Sequence, residues 1–71
     1  MLKISEFVEF ELQYLRDNCN FTEEELKFFD LRAKDITLEE ISYKMQISVS
    51  KTNTLSRKVK RKIKTVLNNK S

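Results

Sequence analysis

The 71-residue chain has no glycine, no proline and no histidine, and it carries a single cysteine, Cys19. Each absence removes a class of chemistry. Without glycine the backbone cannot come as close to phosphate as a P-loop or a dinucleotide-binding turn requires. Without histidine, Cys19 cannot build a usual structural zinc site or a cysteine–histidine nucleophile, and it has no second cysteine for an internal disulfide. No run of consecutive apolar residues exceeds two, so neither the core of a signal peptide nor a membrane span is expected. We therefore expect a protein that is not an enzyme, with no cofactor, metal, membrane or small-molecule substrate. Cys19 fits a core or boundary thiol in a reducing cytoplasm.

Acid is missing from one end of the chain. All eleven acidic residues lie at or before Glu40, while eight basic residues, Lys51, Arg57, Lys58, Lys60, Arg61, Lys62, Lys64 and Lys70, follow Ile47. Six basic against eleven acidic residues leave 1–46 at −5, and 47–71 at +8. Such a partition points to a segment that touches a polyanion, with double-stranded DNA the leading candidate. A hydrophobic content of 39% with 10% aromatic residues is too high for a disordered tail, and the length suits one small domain over 1–71.

Capping signals divide that domain. Thr22-x-x-Glu25 is a candidate capping box, with Phe21 and Leu26 as its hydrophobic staple, and Thr37-x-x-Glu40 repeats the device with Ile36 and Ile41. Ser48 and Ser5 can cap two further helices. The expected helices cover residues 5–16, 22–34, 37–45 and 48–67, with a frayed end over 68–71. Left-handed turn positions, lacking glycine, should fall to Asn18 or Asn20, to Asp35 and to Gln46, the last being the least suited.

Inward stripes follow helical spacing: Ile4, Phe7, Val8, Leu12 and Leu15; then Leu26, Phe29 and Ala33; then Leu38, Ile41 and Met45. Phe10, Tyr14 and Phe28 fall at the stripe edges, where they either close the core or meet a partner. On the last helix Thr52, Leu55, Val59, Ile63 and Val66 share the core side. Opposite them lie Ser50, Thr54, Arg57 and Arg61, flanked by Asn53, Lys58 and Lys64. Small polar side chains come first and guanidinium groups later, an order suited to base edges in a major groove followed by phosphates.

The segment 21–67 resembles the helix-turn-helix of region four of bacterial primary sigma factors and, more distantly, the DNA-binding domain of LuxR-type regulators. Phe21-Thr22-Glu23-Glu24-Glu25-Leu26 resembles the opening of the helix before the motif, and Asp30-Leu31-Arg32-Ala33-Lys34-Asp35 its close. Thr37-Leu38-Glu39-Glu40-Ile41 resembles the first helix of the motif, and Ile47-Ser48-Val49-Ser50-Lys51 the turn into the recognition helix. The departures are Ser42 where alanine is usual, Gln46 and Asp35 where glycine is usual, and Thr52 where an apolar residue is usual.

The capping boxes and stripe spacing predict an all-α, four-helix domain, the small size suits a bacterial or phage source, and the resemblance implies that the long C-terminal helix is the recognition helix. It also implies a transcription regulator that reads bases from Val49, Ser50, Lys51, Asn53 and Thr54; with Ser48 at the helix start and the basic residues Arg57, Lys58, Arg61, Lys62 and Lys64 read from the charge and face of the same helix, these are the candidate DNA-binding residues. Val49, Ser50 and Thr54 replace longer polar or charged side chains, so the family's base preference does not carry over. Seventy-one residues leave no room for the regions with which a whole sigma factor melts promoter DNA and grips polymerase.

Two other readings change the partner. One keeps the fold but binds RNA polymerase or a sigma or anti-sigma-type protein through Phe7, Phe10, Tyr14 and Phe28, without reading DNA. The other lays the basic helix on an anionic membrane or RNA, although its apolar side is already claimed by the core. For the DNA reader, residues 1–20 form a helix that offers a homodimer or RNA polymerase contact.

Overall fold

The computed structural model describes residues 3–69. A 3-10 turn, Ile4–Glu6, precedes four helices: α1 (Glu9–Asn18), α2 (Glu23–Ala33), α3 (Leu38–Met45) and α4 (Val49–Asn69). Among the described residues there is no strand, so the domain is all-helical. Its extents are 36 × 23 × 19 Å.

Two of the four starts follow a threonine cap, as expected. At Thr22 the box is complete: the hydroxyl accepts from Glu25 N–H at 3.2 Å, and the Glu25 carboxylate accepts from Thr22 N–H at 3.0 Å. Thr37 forms the hydroxyl half, accepting from Glu40 N–H at 3.2 Å. Ser48 caps α4 by accepting from Lys51 N–H at 3.0 Å.

The first start differs from the expectation. Ser5 lies in the 3-10 turn, Phe7 and Val8 are extended, and α1 begins at Glu9. The break lets Ile4 turn inward to 2% exposure, while the Glu11 carboxylate accepts from Val8 N–H at 3.0 Å and replaces a hydroxyl cap. Val8 consequently leaves the expected inward stripe and is 62% exposed. At the other end α4 runs on through Asn68 and Asn69, where fraying was expected; residues 70 and 71 lie outside those described.

Three non-glycine residues take positive φ: Asn20 at 52°, Asp35 at 62° and Gln46 at 57°. These are positions singled out from the sequence. Asp35 closes α2 in a Schellman motif, with Ile36 N–H bonded to Leu31 O and Asp35 N–H to Arg32 O. Gln46 closes α3 likewise, through Ile47 N–H to Ser42 O at 3.0 Å and Gln46 N–H to Tyr43 O at 3.2 Å. Only residues 46–48 then separate α3 from α4.

The core joins Ile4, Leu12, Leu15, Cys19, Phe28, Phe29, Ile41, Leu55, Val59 and Ile63. Helix α2 packs against the 3-10 turn, α3 and α4, so it buries more than one face. That is why Phe28, placed at a stripe edge from periodicity, has no exposed surface, while Leu26 is only half-buried. Phe21 packs on Phe29 with ring centroids 5.0 Å apart, and Arg16 covers the Phe29 ring at 5.9 Å while bonding Asp30 at 2.8 Å. Burial pushes the Cys19 thiol above its ordinary pKa, with the Lys62 charge offsetting part of the rise.

Ser42 and Thr52 are buried polar residues, and both satisfy their hydroxyls locally. Ser42 Oγ donates to Glu39 O at 2.6 Å and Thr52 Oγ1 to Ser48 O at 2.9 Å. Among the described residues no buried side-chain polar atom lacks a partner.

Two stability predictions follow from packing and backbone. Leu55→Ala or Ile41→Ala should lose about 2–5 kcal/mol, because each side chain is enclosed by the core. Gln46→Gly should instead gain about 1 kcal/mol, since it removes the steric cost of a left-handed side-chain-bearing residue. Thermal melts of the three variants check both signs; a lowered midpoint for Gln46→Gly would contradict the turn.

Candidate nucleic-acid interface

Helix α4 has a core side and an outward side, each fixed by the 100° step between residues. Leu55, Val59 and Ile63 are buried and hold the helix against α2 and α3. The outward side presents Val49, Ser50, Asn53, Arg57, Lys58, Arg61 and Lys64, all exposed. Arg57, Lys58, Arg61 and Lys64 make no ion pair or side-chain hydrogen bond among the described residues. Because no acidic residue follows Glu40, nothing on α4 neutralises them.

The remaining expected contact residues are each engaged within the protein, to different degrees. The Ser48 hydroxyl is used as the helix cap. Thr54, half-buried, donates its hydroxyl proton to Ser50 O at 3.1 Å and keeps only acceptor capacity and a methyl group for an outside partner. Lys51 pairs with Glu24 at 2.9 Å, the two side chains being 52% and 43% exposed. A pair so open to water contributes about 0–1 kcal/mol and exchanges readily for another anion.

Lys62 stands apart. Its ammonium bonds the Glu25 carboxylate and donates to Asn20 O at 3.2 Å, tying α4 to the start of α2 and to the left-handed turn before it. The cause is its register: Leu55, Val59, Lys62 and Val66 recur at helical spacing, so Lys62 projects from the core side. That spacing was the signal that would have separated it from its basic neighbours. Conversely, sequence reasoning left out Lys60, which lines a shallow groove with Arg57, Arg61, Lys64, Thr65 and Asn68. It follows Arg57 by three residues, the spacing of side chains on one helical face.

Burial alone would push the Glu25 carboxyl up, yet the hydrogen bond from Lys62 and those from Thr22 hold it below the usual carboxylate range. Among the described residues no group of three or more metal-ligating side chains could hold a metal ion. No described helix is long and apolar enough to cross a membrane.

A depressed folded pKa means that the Glu25 contribution to stability is complete above the unfolded carboxylate pKa of about 4.3 and is lost as pH falls through the lower folded value. Glu25→Gln should therefore lower the melting midpoint at neutral pH, by a loss of about 1–3 kcal/mol, with the deficit shrinking as pH falls through 4. Melts of both proteins across pH 3–7 read this directly; a deficit that is constant or grows in acid would contradict the pairing. Compared with protein-family models, curated proteins and solved structures, the chain matches none.

Proposed function

We propose that the chain is a sequence-specific, non-catalytic DNA-binding regulator of transcription in which α3 and α4 form a helix-turn-helix of the sigma-region-four kind. Helix α4 enters the major groove and α3 braces across the backbone. The observation that carries this reading is the outward side of α4, where Arg57, Lys58, Arg61 and Lys64 stand without anionic partners among the described residues, behind the small polar residues Ser50 and Asn53. The three-residue connection closed by Gln46 and the local satisfaction of Ser42 and Thr52 support it, since those are places where the chain departs from the family pattern.

The chemistry assigns different work along the helix. Arg57 has the fork geometry to bond guanine O6 and N7, and Asn53 the amide to bond adenine N6 and N7. Val49, 51% exposed at the first position of α4, suits the methyl group of thymine. Lys58, Arg61 and Lys64 would meet phosphates, fixing register without reading sequence, joined by Lys51 once Glu24 releases it. Lys62 is left out of this set because Glu25 holds it.

A binding selection from genomic fragments, followed by footprinting, tests the proposal; absence of any protected sequence would end it. Arg57→Ala should weaken specific binding by roughly 1–3 kcal/mol and relax one base position. Lys64→Ala should weaken binding to all sequences alike and reduce the salt slope by about one. If selection on the Arg57 variant returns the parent motif at parent strength, Arg57 reads no base. One helix-turn-helix reads few base pairs, so specific affinity calls for a second half-site or for a protein contact such as RNA polymerase.

A further inference from the structure

Helix α1 carries the domain's other unusual surface. Leu12 and Leu15 anchor it to the core, and Phe10 projects from the opposite side with 78% of its surface exposed. Val8, at 62%, precedes it by two residues. Phe10 therefore does not complete the core, whereas Tyr14, one turn on, is half-buried against it. An aromatic ring held in water by a well-anchored helix adds nothing to the isolated domain, and exposed aromatics are characteristic anchors of protein contacts.

The charges around Phe10 decide what can cover it. Glu6, Glu9 and Glu11 are exposed on either side of Val8 and Phe10, and Asp17 lies on the same outward stripe two turns later. DNA and anionic membranes are repelled by that rim. A second copy meeting it in a two-fold contact would set Glu6, Glu9 and Glu11 against their own equivalents, a like-charge arrangement that opposes the dimer. A head-to-tail contact with the cationic side of another copy's α4 answers the charge but not the ring. Among the described residues, the exposed large hydrophobic side chains are Val8, Phe10, Tyr43 and Val49, so the stretch from Arg57 to Lys64 offers Phe10 no apolar seat.

We propose that the outward face of α1 docks a different protein through a segment that surrounds an apolar socket with lysine or arginine, Phe10 filling the socket and Glu6, Glu9 and Glu11 meeting the cations. The surface shares no residue with the outward side of α4, so it stands whether or not α4 binds DNA. Partner and DNA then select opposite signs of charge, which keeps each from the other's site.

The test pans a library of random displayed peptides on the full chain and measures synthetic copies of the recovered sequences by calorimetry. Expected are peptides in which Lys or Arg flanks a large apolar residue, with affinity that falls as salt is raised. Phe10→Ser and Glu6→Lys should each weaken them roughly tenfold or more, without moving the melting midpoint, while Arg61→Ala leaves peptide binding intact. Recovery of acidic or uncharged peptides, or binding indifferent to Phe10→Ser, overturns the proposal. So does sedimentation showing a dimer at tens of micromolar that Phe10→Ser dissolves, because the occupant would then be a second copy.

Discussion

The buried carboxylate of Glu25 is the constraint on which the arrangement of α2 and α4 depends. One oxygen accepts the Thr22 N–H that begins α2 and also the Lys62 ammonium of α4, which in turn bonds the carbonyl of Asn20 in the left-handed turn. Three separate features, a helix start, a turn and the rotation of the longest helix, are thereby fixed by a single group. An ion pair of this kind adds little net stability over an apolar replacement of equal shape, because both charges leave water. Its contribution is to register. With Leu55, Val59 and Ile63 buried and Lys62 held on the same side, the 100° step places Arg57, Arg61 and Lys64 outward, so the internal pair reinforces the register that burial sets.

A chain without glycine must still end its helices, and it does so at a local cost. Asp35 and Gln46 adopt the left-handed conformation that glycine adopts freely, and two Schellman motifs repay part of the strain by satisfying carbonyls at the ends of α2 and α3. Asp and Asn tolerate this conformation through their short polar side chains, whereas Gln has no such advantage. The short α3–α4 connection therefore rests on burial of Ile41 and Leu55 on either side of it. Packing, rather than turn chemistry, holds that angle.

What the sequence made legible follows from how local each signal is. Thr22 with Glu25, and the candidate left-handed residues Asn20, Asp35 and Gln46, involve neighbours within four positions, and periodicity placed Leu55, Val59 and Ile63 on the buried side of α4. Three features escaped, for different reasons. Val8 has no oxygen with which to announce a cap, and the Glu11 carboxylate alone marks the start of α1. Phe28 is buried because α2 has neighbours on more than one side, which no single stripe reveals. Lys62 looked like its basic neighbours, but its partner is Glu25, thirty-seven positions earlier. The candidate interface was thus legible in outline, as a cationic helix side, and not in membership, since charge type says nothing of which ammonium is already paired.

On the proposed reading the cationic side of α4 meets a polyanion rather than merely solvating the helix, and helix energetics bear on that choice. Arg57 with Arg61, and Lys60 with Lys64, are like charges one turn apart, and each such pair costs a helix roughly 0.2–0.5 kcal/mol. A helix that only needs solubility places Glu among its lysines and turns those costs into gains. Here eleven acidic residues are available to the chain and none lies on α4; they stand on the other helices and on the segments that join them. The repulsion is tolerated because Leu55, Val59 and Ile63 hold the helix from its other side. Where a sequence keeps a local penalty that a single common substitution would remove, the penalty is evidence of a requirement outside the fold. Under the proposed DNA-binding reading, phosphate would supply the missing charge, and the order of residues along α4 fits that reading as well as their sign. The small polar side chains Ser50 and Asn53 lie in the leading turns of α4 and the longest cations follow, the order that the proposed docking in a groove would require.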